Sequence, residues 1–410
     1  MLSNILRARI ISQGPLTVAQ FMEAALYDER LGYYARAAQR SGTRGDFYTS
    51  VDVGPLFGEL LAEFSARAFR AIFADDPAAG GAWDLVEAGA GNGRLSRDVL
   101  DALARDHEDA YARVRLHLVE RSAAARRQQV DSLGPHAGRL VSSGTAVPTG
   151  VRGVVLANEL LDAMPVHRVR MGPHGLVETY VDIEGEAFVL REGAPSTPAL
   201  AEYFSGPGVP LAEGRVADVS LDAVAWTSAA AASLARGYLL LIDYGHEAAR
   251  LYDAAHAEGT LRSYSRHMVD APGAGAPTTP AWLLEPGSRD LTAHVDFTAI
   301  TNAAVAAGLQ RLAFLDQGSF LLSMGLAERL SASAAGSGLA DVKRRLAART
   351  LVVPGGLAST HKALLFGRDA PAIIQFPGSR RPDPAGAADD SASPRPGEPD
   401  VPAGRSGRPV

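Results

Sequence analysis

Cysteine is absent from the 410 residues, which excludes a disulfide framework, a thiolate nucleophile and any cysteine-based zinc site. Nor does any run approach the ~20 consecutive apolar residues needed to span a bilayer. The opening stretch MLSNILRARIISQG interrupts its apolar residues with polar and basic ones, so the unbroken core of a signal peptide is missing. A cytoplasmic protein without a membrane span is expected. A basic excess is also lacking: 40 basic against 46 acidic residues give a net charge of −6, which argues against a protein that coats nucleic acid. No internal repeat stands out, so a solenoid or propeller is not indicated.

What the chain does have is a large apolar fraction, 47%, enough to pack more than one core at this length. Residues 1 to about 80 read mostly as helix, with QFMEAALYDERLGYY and PLFGELLAEFSARAFRAIF carrying apolar residues at helical spacing. RSGTRGDFYTS (40–50) between them reads as a loop. From Trp83 the pattern changes to short apolar strands alternating with helices: DLVEAG, then RLSRDVLDALARD, then VRLHLVE (114–120). GVVLANELLDAMP (153–165) reads as a buried strand entering a helix start or a turn, and GYLLLIDYG (237–245) as another buried strand. Such strands point to a parallel sheet covered on both faces, the doubly wound α/β arrangement. VHRVRMGPHGLVETYVDIEGEAFVL interrupts it with hairpin grammar, PHG and EGE serving as turns. VDFTAITNAAVAAG reads as a late helix and HKALLFGR as a final strand, while the last forty or so residues have almost no large apolar side chains and are expected to be disordered.

The stretch VEAGAGNGR (86–94) places Gly89, Gly91 and Gly93 directly after a strand. Bare main chain there lets a ligand approach closely, and the following helix offers its N-terminal amides. No lysine follows, so a Walker loop is excluded, and the spacing is G-x-G-x-G rather than the dinucleotide pattern G-x-G-x-x-G. Glu87 precedes the first glycine by two residues, and Glu120 closes the next strand. A carboxylate at that second position suits a ribose, because it accepts two hydrogen bonds and the sugar supplies two donors.

The E-x-G-x-G-x-G form resembles motif I of class I methyltransferases that use S-adenosylmethionine. Further segments resemble one branch, the MidA family, which includes mitochondrial complex I assembly proteins: GPLTVAQFMEAALYDERLGYY (14–34), GDFYTS (45–50), LFGE (56–59), ANELLDAMPV (157–166), IDYG (242–245), GTLRSYSRH (259–267), DLTAHVDF (290–297), the QGSFLLSMG run (317–325) and HKALLFGR (361–368). Val51-Asp52 stands where the family usually has Pro-Glu, and Ala90 where it has proline. The resemblance implies a Rossmann-like class I methyltransferase sheet with N-terminal helices and an inserted α+β subdomain. The chain is expected to divide into a helical region and cofactor lid (1–80), a first half of the core (81–165), the inserted subdomain (166–236), a second half of the core (237–369) and the tail (370–410).

It also implies binding of S-adenosyl-L-methionine, with Glu87, Gly89, Gly91, Gly93 and Glu120 at the cofactor and Asp46 and Phe47 closing over it. For the mitochondrial members it implies methylation of a protein arginine. Asn158, Glu159 and Asp162 follow the fourth core strand, where such sheets gather ligands. Paired carboxylates there would hold a guanidinium and aim one nitrogen at the methyl group, although capping of a helix start is the competing role. Asp243 and Tyr244 end the fifth strand, where binding of a nearby turn competes with a role at the site. His267, His294 and Asp296 do not have the spacing of a known metal triad, so no metal is expected. A protein acceptor and no nucleic-acid partner complete the expectation. The competing reading is a cofactor-binding assembly factor with little or no turnover; a dinucleotide oxidoreductase is weaker still.

Overall fold

The structure, a computed structural model, describes residues 1–35, 50–74, 81–205, 211–265, 268–269, 279–334, 338–352 and 360–374. Its main sheet has eight strands: β1 (Trp83–Ala88), β2 (Val114–Val119), β3 (Leu140–Gly144), β4 (Val151–Asn158), β5 (Leu234–His246), β6 (Val295–Asp296), β7 (Gln310–Asp316) and β8 (His361–Arg368). They lie in the order β3-β2-β1-β4-β5-β8-β7, with the two-residue β6 continuing parallel alongside the end of β5. β8 runs antiparallel to both neighbours, β5 and β7, and the other pairs along this path are parallel. The strand order reverses between β1 and β4, so the crevice at their C-terminal ends is where this architecture receives a ligand.

Alternation along the strands builds two cores. Leu85, Leu116, Leu156, Leu240 and Leu365 face one side, against Phe57 and Phe64 of α3 (Pro55–Ile72) and Leu95 and Val99 of α4 (Arg94–Asp106). Their neighbours Val86, Val155, Leu239, Leu241 and Leu364 face the other, against Ala230 and Ala231 of α5 (Leu221–Ser233) and Phe297 and Ile300 of α6 (Phe297–Ala306). Each large side chain so buried contributes on the order of 1.5–3 kcal/mol. This is why the strands read as continuous apolar runs. β3 and β7 did not stand out in the sequence because they are half-exposed edge strands, LVSSG and QRLAFLD, with mixed composition.

The hairpin-rich region forms a separate antiparallel sheet from His167–Gly172, Gly175–Glu184, Ala187–Gly193 and Val216–Val219, joined by Leu16–Thr17 from the start of the chain. Two helices pack beside it. The first, Leu2–Gln13, buries Leu2, Leu6 and Ile10. The second, Val18–Tyr27, opens with a reciprocal cap between Thr17 and Gln20. Both share a core with Val166, Val181 and Phe188. The second helix stops at Tyr27, ahead of Gly32, because Asp28 takes the extended backbone and its carboxylate accepts the N–H of Arg30 and Leu31. The tail from residue 375 onward lies outside the described residues.

Where β1, β4 and β5 run side by side, two glycines allow close approach. A Cβ on Gly153 would stand 1.9 Å from the Asp84 carbonyl oxygen, and one on Gly237 would stand 2.0 Å from the Gly153 carbonyl oxygen. The obstruction is backbone in both cases. Gly153→Ala is therefore expected to destabilise the fold by at least the ~3 kcal/mol upper end of overpacking, read as a lowered thermal midpoint or loss of soluble protein. A variant melting like the wild type would refute that account.

Candidate cofactor and acceptor site

β1 is buried along its whole length and delivers the chain to the glycine loop. Gly89, Gly91 and Gly93 all take left-handed backbone, with φ of 73°, 51° and 84°. The amides of Gly89 and Ala90 both donate to the Val119 carbonyl, at 2.9 and 3.1 Å, which ties the turn to β2. Gly93 then caps α4. The three positions are not equivalent. A Cβ on Gly89 would press on Leu160 at 3.2 Å and one on Gly93 on Leu118 at 3.3 Å, whereas a Cβ on Gly91 would meet nothing within 4 Å. Gly91 is thus the bare main chain that fronts open space.

Glu120 turns toward that loop. One carboxylate oxygen accepts the Gly91 amide at 2.9 Å and the other the Ser122 amide at 2.6 Å. An ionised carboxylate has about four acceptor positions, so two remain for a pair of hydroxyls. Gln129 supports the loop from below, donating to the Gly91 carbonyl at 2.8 Å. Glu87 sits differently. It is buried on β1 and bonds Ser96 in the first turn of α4. Burial pushes its carboxyl up to about 8, against the opposing effect of the Ser96 hydroxyl and amide. Glu87 therefore lies behind the loop and is largely protonated at neutral pH.

The acceptor side is assembled after β4. Glu159 takes φ of 50°, one of three non-glycine residues with positive φ among the described residues, and such strain costs of order 1–3 kcal/mol. Its amide donates to the Ile242 carbonyl at 2.8 Å. Its Oε1 accepts the Ser50 amide at 3.1 Å and the Asn158 side-chain amide at 3.3 Å, with His361 Nε2 at 3.9 Å. The chain does not enter a helix here. It forms a turn, because Asp243 Oδ2 accepts the successive amides of Leu160, Leu161 and Asp162 at 3.1, 2.8 and 3.4 Å. Tyr27 adds a hydroxyl bond to the Ala163 carbonyl at 2.9 Å.

Asp162, 7% exposed, leaves Oδ1 without a hydrogen-bond partner, and so does Asn158 Oδ1. Burial first, then the carboxyls of Asp243, Glu159 and Asp290, hold Asp162 well above the usual carboxylate range. Asp243 is pushed up to about 7 by burial, opposed by its amide bonds. The site therefore concentrates acceptors and acids with few donors.

Several members of this cluster had no individual signal in the sequence. Ser50 donates its hydroxyl to Gln317 at 3.2 Å, and Tyr34 donates to Asp290 at 3.1 Å. Each lies inside a segment that carried the resemblance, which was the available clue. Asp46, Phe47 and His267 lie outside the described residues. Nearby, Arg94 at the start of α4 pairs with Asp52 at 2.9 Å and donates to the Val51 carbonyl at 2.7 Å, fastening the turn Ser50–Val53 beside the glycine loop. Asp296 caps α6 and accepts hydroxyl bonds from Tyr203 and Tyr252 at 2.9 and 2.8 Å, so its carboxylate is engaged by the protein.

A doubly wound sheet with this strand order, an open glycine turn and an acid closing the second strand defines a class I methyltransferase core. A family model described as S-adenosyl-L-methionine-dependent methyltransferase matches residues 60–315, and the chain belongs to that family. A Drosophila melanogaster protein named protein arginine methyltransferase NDUFAF7 homolog, mitochondrial, is 30% identical over 355 residues, 79% of this chain and 74% of its own. The Homo sapiens protein arginine methyltransferase NDUFAF7, mitochondrial, is 27% identical over 353 residues, covering 78% and 73%. A Burkholderia thailandensis protein crystallised with S-adenosyl-homocysteine is 32% identical, with a TM-score of 0.76 and 92% of each chain covered. The cofactor is S-adenosyl-L-methionine, and the open face at Gly91 with the free acceptor positions of Glu120 fits it.

One expectation is corrected. The curated relatives are named as mitochondrial proteins, which overturns the cytoplasmic placement. The composition of the opening residues does not identify a compartment. Among the described residues no helix is long and apolar enough to cross a membrane.

Glu87 gives a pH signature. Its folded value of about 8 exceeds the ordinary 4.5, so its contribution to stability is complete below the unfolded value and is lost as pH rises through the folded one. Glu87→Gln is expected to flatten, though not abolish, the fall in thermal midpoint between about pH 5 and pH 8.5; Asp243 and Asp162 titrate in the same direction. An unchanged slope would show that Glu87 is not held protonated.

Proposed function

We propose that this methyltransferase acts on a protein arginine side chain. The observation that carries the reading is the buried acceptor set at the end of β4, where Asn158 Oδ1 and Asp162 Oδ1 have no donor beside the carboxyl of Glu159. A buried polar atom without a partner costs roughly 1–3 kcal/mol, a cost a ligand rich in N–H groups would relieve. A guanidinium has five such donors in a planar fork. The names of the curated relatives, protein arginine methyltransferases, support the same class of acceptor.

When bound, the cofactor supplies an electrophilic methyl group on a sulfonium centre. The chain's own residues do the rest. Gly91 would leave room for the amino-acid end, and Glu120 would accept the ribose hydroxyls while keeping the amides of Gly91 and Ser122. Burial holds the Asp162 carboxyl well above the usual carboxylate range, and a cation beside it favours its ionised form. Asn158, Glu159 and Asp162 hold the guanidinium, and their asymmetric hydrogen bonding localises electron density on the nitrogen left free. Glu159 takes the proton that this nitrogen sheds on methylation. His361, 3.9 Å from Glu159 Oε1, has its affinity for a proton lowered by burial and stands beside this step as a neutral neighbour. Alignment supplies most of the acceleration, because displacement at a methyl group needs little acid catalysis.

Labelled cofactor incubated with lysate protein should yield methylarginine, identified by mass spectrometry. Glu159→Gln is expected to reduce transfer by at least ~100-fold while S-adenosyl-homocysteine affinity stays within a few-fold. Glu120→Ala should weaken that affinity by roughly 10- to 100-fold, the worth of charge-assisted hydrogen bonds. Label on a different side chain, or full transfer by Glu159→Gln, would overturn the arginine reading; firm binding with no labelled product would favour an assembly factor.

A further inference from the structure

Beyond the acceptor pocket, three histidines from separate segments converge at the C-terminal edge of the main sheet. His246 closes β5, His256 ends the turn Ala254–His256, and His294 lies between the strand Asp290–Thr292 and β6. Their ring centroids stand 5.3 Å (His246–His256), 5.6 Å (His246–His294) and 5.5 Å (His256–His294) apart. One ring nitrogen from each lies within 4.8 Å of the other two. Intervals of 10 and 38 residues gave no hint of this grouping in the sequence.

Two details point to a ligand. His294 Nδ1 is buried and has no hydrogen-bond partner. His256 Nδ1 lies 3.1 Å from the Arg250 carbonyl, which can only accept. Nδ1 therefore carries the proton, and Nε2 keeps its lone pair. That arrangement, a ring anchored to a carbonyl through one nitrogen and free at the other, orients metal-binding histidines. Arg250, Lys362 and Arg262 face the cluster and oppose a dication, while Asp253 favours it.

We propose that His246, His256 and His294 form a binding site for a transition-metal dication of zinc type. Three imidazoles suit zinc, cobalt or nickel, and exclude hard oxygen-seeking ions as preferred occupants. Tetrahedral coordination with bonds of about 2.0–2.1 Å needs nitrogens about 3.4 Å apart, within reach of side-chain rotation from the present separation. The metal clamps the turn Ala254–His256 and the segment before β6 onto β5. Tyr244 packs against His294 at 5.3 Å and against His361 at 5.5 Å, so the clamp shares a wall with the acceptor pocket. The proposal does not depend on which acceptor is methylated.

The test uses untagged full-length protein stripped with chelator and titrated with zinc by calorimetry and with cobalt by visible absorption. One zinc per chain, tetrahedral cobalt bands and a raised thermal midpoint are expected. His256→Gln and His294→Gln should each weaken zinc binding by at least ~100-fold, beyond the 10- to 100-fold typical of outer-sphere partners. Affinity for S-adenosyl-homocysteine, measured in the same samples, should stay within a few-fold and reports that the variants are folded. Failure of the wild type to bind one zinc, or equal binding by folded variants, would overturn the site. The wild-type titration decides the matter even if both variants misfold.

Discussion

The carboxylate of Asp243 accepts three successive amides of the turn that follows β4, and the rest of the acceptor side depends on that contact. A strand leaving the middle of a parallel sheet normally runs on into a helix. Here the amides of residues 160–162 have no helical partners, and a buried acid on the neighbouring strand replaces them. The exchange is costly, since burial pushes Asp243 up to about 7 despite its amide bonds. It fixes Glu159 in left-handed backbone, faces Asp162 inward and brings Leu160 against Gly89, so the cofactor loop and the acceptor turn are set by one interaction.

The acids at the strand ends accordingly divide into two kinds. Asp243 and Glu87 have their oxygens committed to the protein: one to a turn, the other to Ser96 at the start of α4. Glu120 and Glu159 are less buried, and Asp162, though buried, has an Oδ1 without a hydrogen-bond partner. Position at the end of a strand does not distinguish these roles; the hydrogen-bond inventory does. It also explains why Gly91 differs from its neighbours. All three take left-handed backbone; Gly89 and Gly93 are also faced by Leu160 and Leu118, whereas Gly91 has open space in front of it.

Much of this was legible beforehand, for physical reasons that also mark the limit. β1, β2, β4 and β5 are covered on both faces, so their composition announced them; β3 and β7 are edges and did not. The hairpins of residues 167–193 were visible through PHG and EGE, but the pairing of Leu16–Thr17 with Val181 and Tyr180 is a contact across more than 160 residues with no local trace. That Glu120, the residue after β2, turns toward the glycine loop could be expected because the end of that strand has a defined place in this architecture. The pairings of Ser50 with Gln317 and of Tyr34 with Asp290 could not, because side chains that meet from distant segments leave no spacing. Asp243 could have been assigned either way, and only the three amides at its Oδ2 decide for the turn.

Electrostatics links these parts into a conditional site. An acidic pocket that stayed ionised when empty would repel itself: the carboxyls of Asp243, Glu159 and Asp290 raise the proton affinity of Asp162, and Glu159 raises that of Asp243. Burial raises the proton affinity of Asp162 and Asp243. The sulfonium cofactor is a cation, as a guanidinium acceptor would be, and a cation nearby favours the ionised form of a carboxyl. Charge complementarity is therefore created on binding. A neutral ligand of the same shape would leave the carboxyls protonated and gain only neutral hydrogen bonds, roughly half as strong as charge-assisted ones. Selection for a cation follows from the same desolvation that makes the empty pocket expensive to maintain.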